Sequence, residues 1–310
     1  MKIVYMGTPD FAVEALKALH DAGHEILCVV SQPDKPVGRH AELVPTPVKA
    51  CALELGLPVL QPVKASDPEF IETIRGMEPD VIVVAAYGKI LRKALLDIPK
   101  YGCVNIHGSL LPRWRGAAPI QWAVISGDRK AGLTTMMMAE GMDTGDMLLR
   151  TEVEISPEET GGSLFDRLKD LSGPLILETL QRLEEGTLVP EPQQEELATL
   201  APMLTREMGE LDFTKTAKEL DCLIRGLTPW PGAYTKIGGK LLKIHRAVPV
   251  TREEAGSGTE AAAGSFTVQG KELFVLCGEG ALKLEEVQAE GKKRMSAGDF
   301  LLGNRNLFEK

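Results

Sequence analysis

Two hydrophobic patterns alternate along the first half of the chain. Continuous apolar runs, as over Lys2–Met6 and Asp80–Ala86, are separated by segments such as Phe11–Ala22, where apolar residues recur at helical spacing. The runs predict strands buried on both faces, and the spaced segments predict helices. Repeated strand and helix units favour an α/β fold with a Rossmann-like, mostly parallel sheet. Further strands are expected at Glu25–Ser31, Pro58–Gln61, Leu133–Ala139 and Met147–Ile155, and further helices at Pro47–Leu55, Pro68–Gly76, Gly116–Ser126 and Gly162–Glu185.

The pattern changes after the last of these helices. Residues Gly186–Leu204 are rich in Pro, Gln and Glu without periodicity, which predicts a linker. A helix over Thr214–Arg225 and a series of short strands follow, which suggest a small OB-like β-barrel. We therefore expect a catalytic domain over 1–188, a linker over 189–205 and an OB-like domain over 206–310. The short strands are expected at Ala233–Ile237, Lys240–Val248, Gly264–Val268, Leu273–Cys277 and Ala281–Val287.

Size and composition are compatible with two hydrophobic cores, since the chain has 310 residues and 44% of them are apolar. No apolar run approaches the ~20 residues that span a bilayer, and no signal-peptide pattern precedes the first strand. We therefore expect a cytoplasmic protein without membrane contact. The cysteines are widely separated, without C-x-x-C or metal-ligand spacing, which indicates reduced thiols and neither a zinc site nor a disulfide framework.

The charge is strongly negative, at a formal value of -9, which by itself argues against a nucleic-acid partner. The excess is local, because residues Glu152–Glu196 contain twelve acidic and three basic side chains. The rest of the chain therefore sums to zero and leaves room for a basic face elsewhere.

An apolar run ends in polar residues at Val104–Gly116, the stretch with the clearest chemistry. Strand alternation places Asn105 and His107 on one face, about 7 Å apart. An Asn amide can polarise a carbonyl and a His can exchange protons near neutral pH, which suits acyl transfer. Alternatively, Asn105 caps a turn and His107 is a buried core histidine. Cys103 points to the same side, as core or pocket wall.

Several motifs in order identify a family. Asn105-Ile106-His107 is followed at once by SLLPRWRG, GTPDF stands near the amino end, and GMDTGD occupies Gly141–Asp146. Together they resemble the folate-dependent formyltransferases, over nearly the whole chain. The resemblance implies transfer of the formyl group of 10-formyltetrahydrofolate to methionyl-initiator tRNA, without a metal.

The resemblance also implies roles for individual residues. Asn105, His107 and Asp143 would be catalytic, although without the context of Asn105 and His107 an Asx turn is the preferred explanation for Asp143. Tyr87 and Ile90 would lie in a loop that holds the pterin ring through backbone groups, while their side chains are equally compatible with packing under the next helix. The implied folate contacts are Ser109, Leu110, Leu111, Pro112, Tyr87, Gly88 and Ile90.

The expected tRNA contacts lie in two regions. The loop Gln32–Pro47 is long and rich in proline, and the resemblance implies that it reaches the tRNA acceptor end with Arg39, although the acidic Glu42 stands where the family commonly has basic residues. A solvated loop is the alternative. Basic residues on the carboxyl-terminal strands are either tRNA contacts or an ordinary solvated face. The candidates among them are Lys240, Lys243 and Arg246.

Arg113 and Arg115 flank Trp114 and are suited to an RNA phosphate or an aromatic stack, or equally to pairing with nearby acids. Related formyltransferases that act on glycinamide ribonucleotide or on a nucleotide-linked amino sugar share the catalytic motif, so they are the nearest alternative. A folate or RNA carrier without chemistry is a second alternative, and a dehydrogenase lacks the G-x-G-x-x-G fingerprint here. We expect a monomer.

Overall fold

The computed structural model describes residues 1–37, 42–256 and 261–308. They form two compact units, and each draws on more than one stretch of the chain. The first unit comprises residues 1–119, 131–153 and 165–201, and the second comprises residues 120–130, 154–164 and 202–310. The domain boundaries expected at residues 188 and 206 stay predictions. Within the described ranges, no helix has both the length and the apolar character that a bilayer crossing requires.

The strands are numbered in chain order. They are β1 Lys2–Gly7, β2 Glu25–Val30, β3 Lys35–Val37, β4 Glu42–Val44, β5 Val59–Leu60, β6 Val81–Ala85, β7 Cys103–His107, β8 Arg115–Gly116, β9 Lys130–Met137, β10 Met147–Glu154, β11 Leu200–Ala201, β12 Ala233–Ile237, β13 Lys240–Val250, β14 Phe266–Gln269, β15 Glu272–Leu276, β16 Ala281–Ala289 and β17 Met295–Ser296. The helices are α1 Val13–Asp21, α2 Pro47–Glu54, α3 Pro68–Gly76, α4 Lys93–Leu96, α5 Pro119–Ile125, α6 Gly161–Glu184, α7 Ala217–Gly226 and α8 Ala297–Asn304.

The first unit is built on a sheet with the strand order β10-β9-β7-β6-β1-β2-β5. Strands β1, β2, β5, β6 and β7 pair in parallel, whereas β9 runs antiparallel to β7. This arrangement confirms the expected Rossmann-like, mostly parallel sheet. All residues of β6 and β7 are buried, because helices cover both faces of a parallel sheet. The carboxyl ends of β6 and β7 lead into the loops that carry the candidate site.

Local sequence signals explain where helices begin. Thr46 caps α2 by accepting a hydrogen bond from the Lys49 amide, with Pro47 at the first helical position. Thr216 and Glu219 form a capping box at the start of α7. The loop Gln32–Pro47, in which the sequence predicted no strand, contains the antiparallel pair β3 and β4. Strands of three residues are too short for periodicity to reveal, which explains the difference.

The second unit contains an antiparallel sheet in the order β12-β13-β16-β15-β14, with β17 paired to β16. It agrees with the expected carboxyl-terminal β-domain. Leu242 and Ile244 on β13 are buried in one core with Leu220 and Ile224 of α7, so the helix covers one face of the sheet. The opposite residues of β13, including Lys243, face solvent.

Candidate active site

Strand β7 positions the two polar residues at the centre of the expected site. Asn105 pairs in register with Val84 on one side and Met136 on the other, and its exposed fraction is 9%. His107 lies two residues further along the strand, opposite Thr134, and is 5% exposed. Within the described part of the chain, the side-chain amide of Asn105 has no hydrogen-bond partner. The rigid sheet therefore holds an amide group that is available to a bound molecule.

The imidazole of His107 has a different partner at each nitrogen. Its Nε2 lies 2.9 Å from the carbonyl oxygen of Trp114, and its Nδ1 lies 3.6 Å from Oδ2 of Asp143. A carbonyl oxygen only accepts hydrogen bonds, so Nε2 must carry the proton in this arrangement. In the neutral ring Nδ1 is then the basic nitrogen, and it faces the carboxylate. A proton added at Nδ1 would be stabilised by the negative charge of Asp143.

Asp143 lies in the tight loop that the glycines of GMDTGD make possible. Its φ of 52° is in the left-handed region, which Asp tolerates better than most residues. Its Oδ2 accepts a hydrogen bond of 2.9 Å from the Gly116 amide. Gly145 packs so closely on the Met137 carbonyl that a Cβ would overlap it. The loop thus brings a carboxylate from a distant part of the sequence to His107.

Sequence reasoning missed Gln193, which lies beside this loop. The side-chain amide of Gln193 donates to the carbonyl oxygens of Asp143, at 2.8 Å, and Gly145, at 2.7 Å. Its own oxygen accepts a hydrogen bond of 2.9 Å from Arg115 Nε. Arg115 also donates a hydrogen bond from Nη1 to the Glu195 carboxylate, and this contact lowers the pKa of the carboxyl group. Gln193 carries no periodic signal, whereas Arg115 stands inside the recognised motif.

The loop after β7 contains the expected folate contacts Ser109 to Pro112. The Ser109 hydroxyl donates to the Arg113 carbonyl at 2.6 Å, and Leu111 is buried. Thr134 donates to the Ser109 carbonyl and accepts from the Leu111 amide. Leu110 and Pro112 are half-buried. These hydrogen bonds fix the backbone of the loop, and Thr134 is a second residue that only the three-dimensional structure reveals.

The arginines on either side of Trp114 have separate environments. The guanidinium of Arg113 lies over the Trp114 ring, 4.4 Å from its centroid, and Arg113 is exposed. Arg115 is buried and pairs with Glu195. The alternative of pairing with nearby acids therefore holds for Arg115, whereas Arg113 stacks on the ring.

The loop after β6 contains Tyr87, Gly88 and Ile90. The Tyr87 carbonyl accepts hydrogen bonds from the Thr8 hydroxyl and the Gln32 amide, and Gly88 has a φ of 76°. The Tyr87 side chain is buried in the hydrophobic core, where burial raises the pKa of its hydroxyl to about 12. Ile90 is 73% exposed. Packing against the core thus holds for the Tyr87 side chain and not for that of Ile90.

The expected tRNA contacts fall in different places. Arg39 lies outside the described residues. Lys240, Lys243 and Arg246 all lie on β13 and are exposed, and Arg246 pairs with Glu285 at 2.7 Å. The second unit also contains a cavity of about 680 Å³ lined by several basic groups. These basic lining residues are Arg129, Lys218, Arg225, His245, Arg246 and Arg294.

All five cysteines are free and buried. Burial raises the pKa of the Cys103 thiol from 9.0 to about 12, and that of Cys28 likewise. Cys103 donates a weak hydrogen bond to the Leu96 carbonyl and packs in the hydrophobic core. A thiol held in its neutral form among apolar side chains is a poor nucleophile, so Cys103 is part of the core.

Comparison with known proteins gives a consistent result over the whole chain. A family model described as formyl transferase matches residues 1–180, and a model of the formyl transferase C-terminal domain matches residues 203–305. The chain is 50% identical over 306 residues to the methionyl-tRNA formyltransferase of Lachnospira eligens, covering 98% of this chain and 97% of that protein. It is 51% identical to the methionyl-tRNA formyltransferase of Citrifermentans bemidjiense, covering 98% and 93%.

A solved structure shares the fold at much lower sequence similarity. HypX from Aquifex aeolicus in complex with tetrahydrofolic acid is 17% identical, with a TM-score of 0.62, over 97% of this chain and 47% of that protein. At this identity the likeness concerns the fold alone.

Proposed function

The chain belongs to the formyl transferase family, and on that premise we propose that it transfers the formyl group of 10-formyltetrahydrofolate to the amino group of methionyl-initiator tRNA. The observation that carries the proposal is the identity of about 50% with methionyl-tRNA formyltransferases over nearly the full length. Asn105, His107 and Asp143 then have chemical roles that fit their geometry. The reaction belongs to translation initiation, and hence to the cytoplasm.

The reaction exchanges one nitrogen for another on the formyl carbon. The methionyl amine attacks that carbon and forms a new C–N bond, and the bond from the carbon to N10 of the folate then breaks. Negative charge develops on the formyl oxygen in the tetrahedral intermediate. The unpartnered Asn105 amide, fixed in β7, would donate a hydrogen bond to it. Removal of one such donor typically lowers the rate about 100- to 1000-fold.

His107 would move the proton that this exchange releases. The attacking amine loses a proton and N10 gains one. A side chain that exchanges protons near neutral pH can carry this proton, directly or through a water molecule. Because Nε2 is hydrogen-bonded to the Trp114 carbonyl, Nδ1 is the nitrogen that would accept the proton. Asp143, 3.6 Å away, would orient the ring and stabilise its charged form.

The two substrates would contact different parts of the chain. Folate would contact the fixed loop Ser109–Pro112 and the backbone at Tyr87 and Gly88, with the exposed Ile90 beside them. The tRNA would contact Arg39 and the exposed basic side chains on β13, where phosphate neutralisation supplies most of the affinity. The similarity to a methionyl-tRNA formyltransferase covers 98% of this chain, so it includes the carboxyl-terminal match at 203–305, and this supports a macromolecular acceptor.

A direct acceptor assay tests this proposal. The protein receives folate carrying a radiolabelled formyl group together with methionyl-initiator tRNA, glycinamide ribonucleotide or a nucleotide-linked amino sugar. We expect label in the acid-precipitable tRNA fraction and none on the small amines. Label on a small amine alone would show a formyltransferase with a different acceptor, and no transfer to any of them would refute the proposed activity.

A further inference from the structure

A single segment, residues 191–201, runs along both loops of the candidate site, and we call it the strap. It lies within the stretch that the sequence predicted to be a linker. Glu191 and Met147 exchange two backbone hydrogen bonds of 2.8 Å, just after the loop of Asp143. At its other end, β11 pairs in parallel with β8, which follows the loop of His107. The strap therefore connects two loops that are far apart in sequence.

We propose that Gln193 of the strap is a positioning residue for Asp143, acting together with Arg115. The proposal rests on the proposed function, in which Asp143 orients His107. Both hydrogens of the Gln193 amide are used, one on the Asp143 carbonyl and one on the Gly145 carbonyl. Its oxygen is held by Arg115 Nε. Gln193 thus bridges β8 and the loop of Asp143.

The partners of Gln193 determine which side chain can occupy the position. Two carbonyl oxygens require donors, and the Arg115 Nε–H requires an acceptor. An amide meets both requirements at once. A carboxylate would keep the contact with Arg115 but would place a negative oxygen against the two carbonyls. Gln193→Glu therefore removes the hydrogen bonds to the Asp143 and Gly145 carbonyls, while the contact with Arg115 remains.

Arg115 is placed to orient that amide. It is buried at 4% exposure, and among the described residues its Nη2 has no hydrogen-bond partner. Burying a guanidinium without full pairing is destabilising, so stability alone does not account for it. Its rigid, planar fork fixes the directions of Nε and Nη1, toward Gln193 and Glu195. Arg115 therefore holds Gln193 in one orientation.

Two neighbouring residues of β8 hold Asp143 through hydrogen bonds. Arg115 holds its backbone through Gln193, and the Gly116 amide holds its carboxylate directly. A non-glycine residue at a φ of 52° persists where its surroundings fix it. Loss of the Gln193 contact leaves Asp143 held by the hydrogen bond to its carboxylate alone. The orientation of Asp143 relative to His107 Nδ1 then becomes variable.

Steady-state kinetics of Gln193→Ala, Gln193→Glu and the matched control Gln194→Ala test the proposal. Gln194 is the adjacent, exposed glutamine, and its side chain does not cap the following turn. We expect kcat to fall about 10- to 100-fold in both Gln193 variants, as for a displaced catalytic group, with both KM values within about twofold of wild type. Gln194→Ala should match wild type in each measurement.

A double-mutant cycle separates positioning from a structural role. If Gln193 acts through Asp143, Gln193→Ala should lower kcat no further in an Asp143→Asn background. Full additivity of the two losses, or wild-type kcat in Gln193→Ala, would overturn the proposal. Hydrogen exchange of the peptide that contains Gly116 is independent of activity, and unchanged exchange in Gln193→Ala would also overturn it. An inactive wild-type protein would instead refute the proposed function.

Discussion

At the scale of single residues, conformation and charge are combined at Asp143. Its φ is in the left-handed region, and its carboxylate lies 3.6 Å from Nδ1 of His107. Asn tolerates this φ as Asp does, whereas Ala tolerates it less well. Comparison of the two substitutions therefore separates the contribution of the backbone from that of the charge.

We predict that Asp143→Asn lowers kcat roughly 100-fold or more, with little change in melting temperature, since general acid–base catalysis typically contributes at least that much. Asp143→Ala should lower both kcat and the melting temperature, because it adds backbone strain. Circular dichroism melting and formyl transfer assays measure the two effects. Wild-type turnover in a folded Asp143→Asn variant would contradict a role for the charge.

The buried cysteines give a prediction that depends on pH. Because burial raises the pKa of Cys103 to about 12, its thiol stays neutral at pH 8, where an ordinary thiol of pKa 9.0 is partly ionised. Iodoacetamide should therefore label none of the five cysteines in the folded protein at pH 8 and all five after denaturation. Rapid labelling of Cys103 with parallel loss of activity would show instead that it belongs to the site.

At the scale of elements, Gly145 shows how closely the Asp143 loop packs on β9. A Cβ at this position would overlap the Met137 carbonyl, so Gly145→Ala must displace the loop. We predict a fall in kcat of at least about 10-fold. Gly76 at the end of α3 is the matched control, because it is exposed and a Cβ there meets nothing within 4 Å. Gly76→Ala should keep full activity and raise stability by about 0.5–1 kcal/mol.

Elements with a long hydrophobic pattern could be predicted from the sequence. The apolar run of β6 and the alternation in β7 placed the sheet and the shared face of Asn105 and His107 correctly in outline. Short or aperiodic elements could not. The strap looks like a linker in the sequence because its role depends on hydrogen bonds to β8 and Met147, and no local pattern encodes such partners. Likewise, the Gly116 contact of Asp143 exists only once the chain has folded.

At the scale of the whole molecule, the acidic excess lies in residues 152–196, and the basic residues Lys240 and Lys243 on β13 are exposed. If Lys240 and Lys243 contact phosphates, KM for methionyl-tRNA should rise steeply with salt while KM for folate changes little. In a plot of log KM for methionyl-tRNA against log salt concentration, Lys240→Gln together with Lys243→Gln should reduce the slope by about 2, near 1 for each lost phosphate contact. Lys17→Gln, on α1 of the first unit, is the control and should leave the slope unchanged. An unaltered slope in the β13 variant would move the tRNA contact elsewhere.

The proposed chemistry depends most on Asn105, which would stabilise the developing charge on a formyl oxygen next to the His107 and Asp143 pair. The most direct measurement is the single-turnover rate of formyl transfer to methionyl-tRNA by Asn105→Ala at saturating concentrations of both substrates. We predict a rate about 100- to 1000-fold below wild type, with folate binding retained. A wild-type single-turnover rate in the folded variant would contradict it.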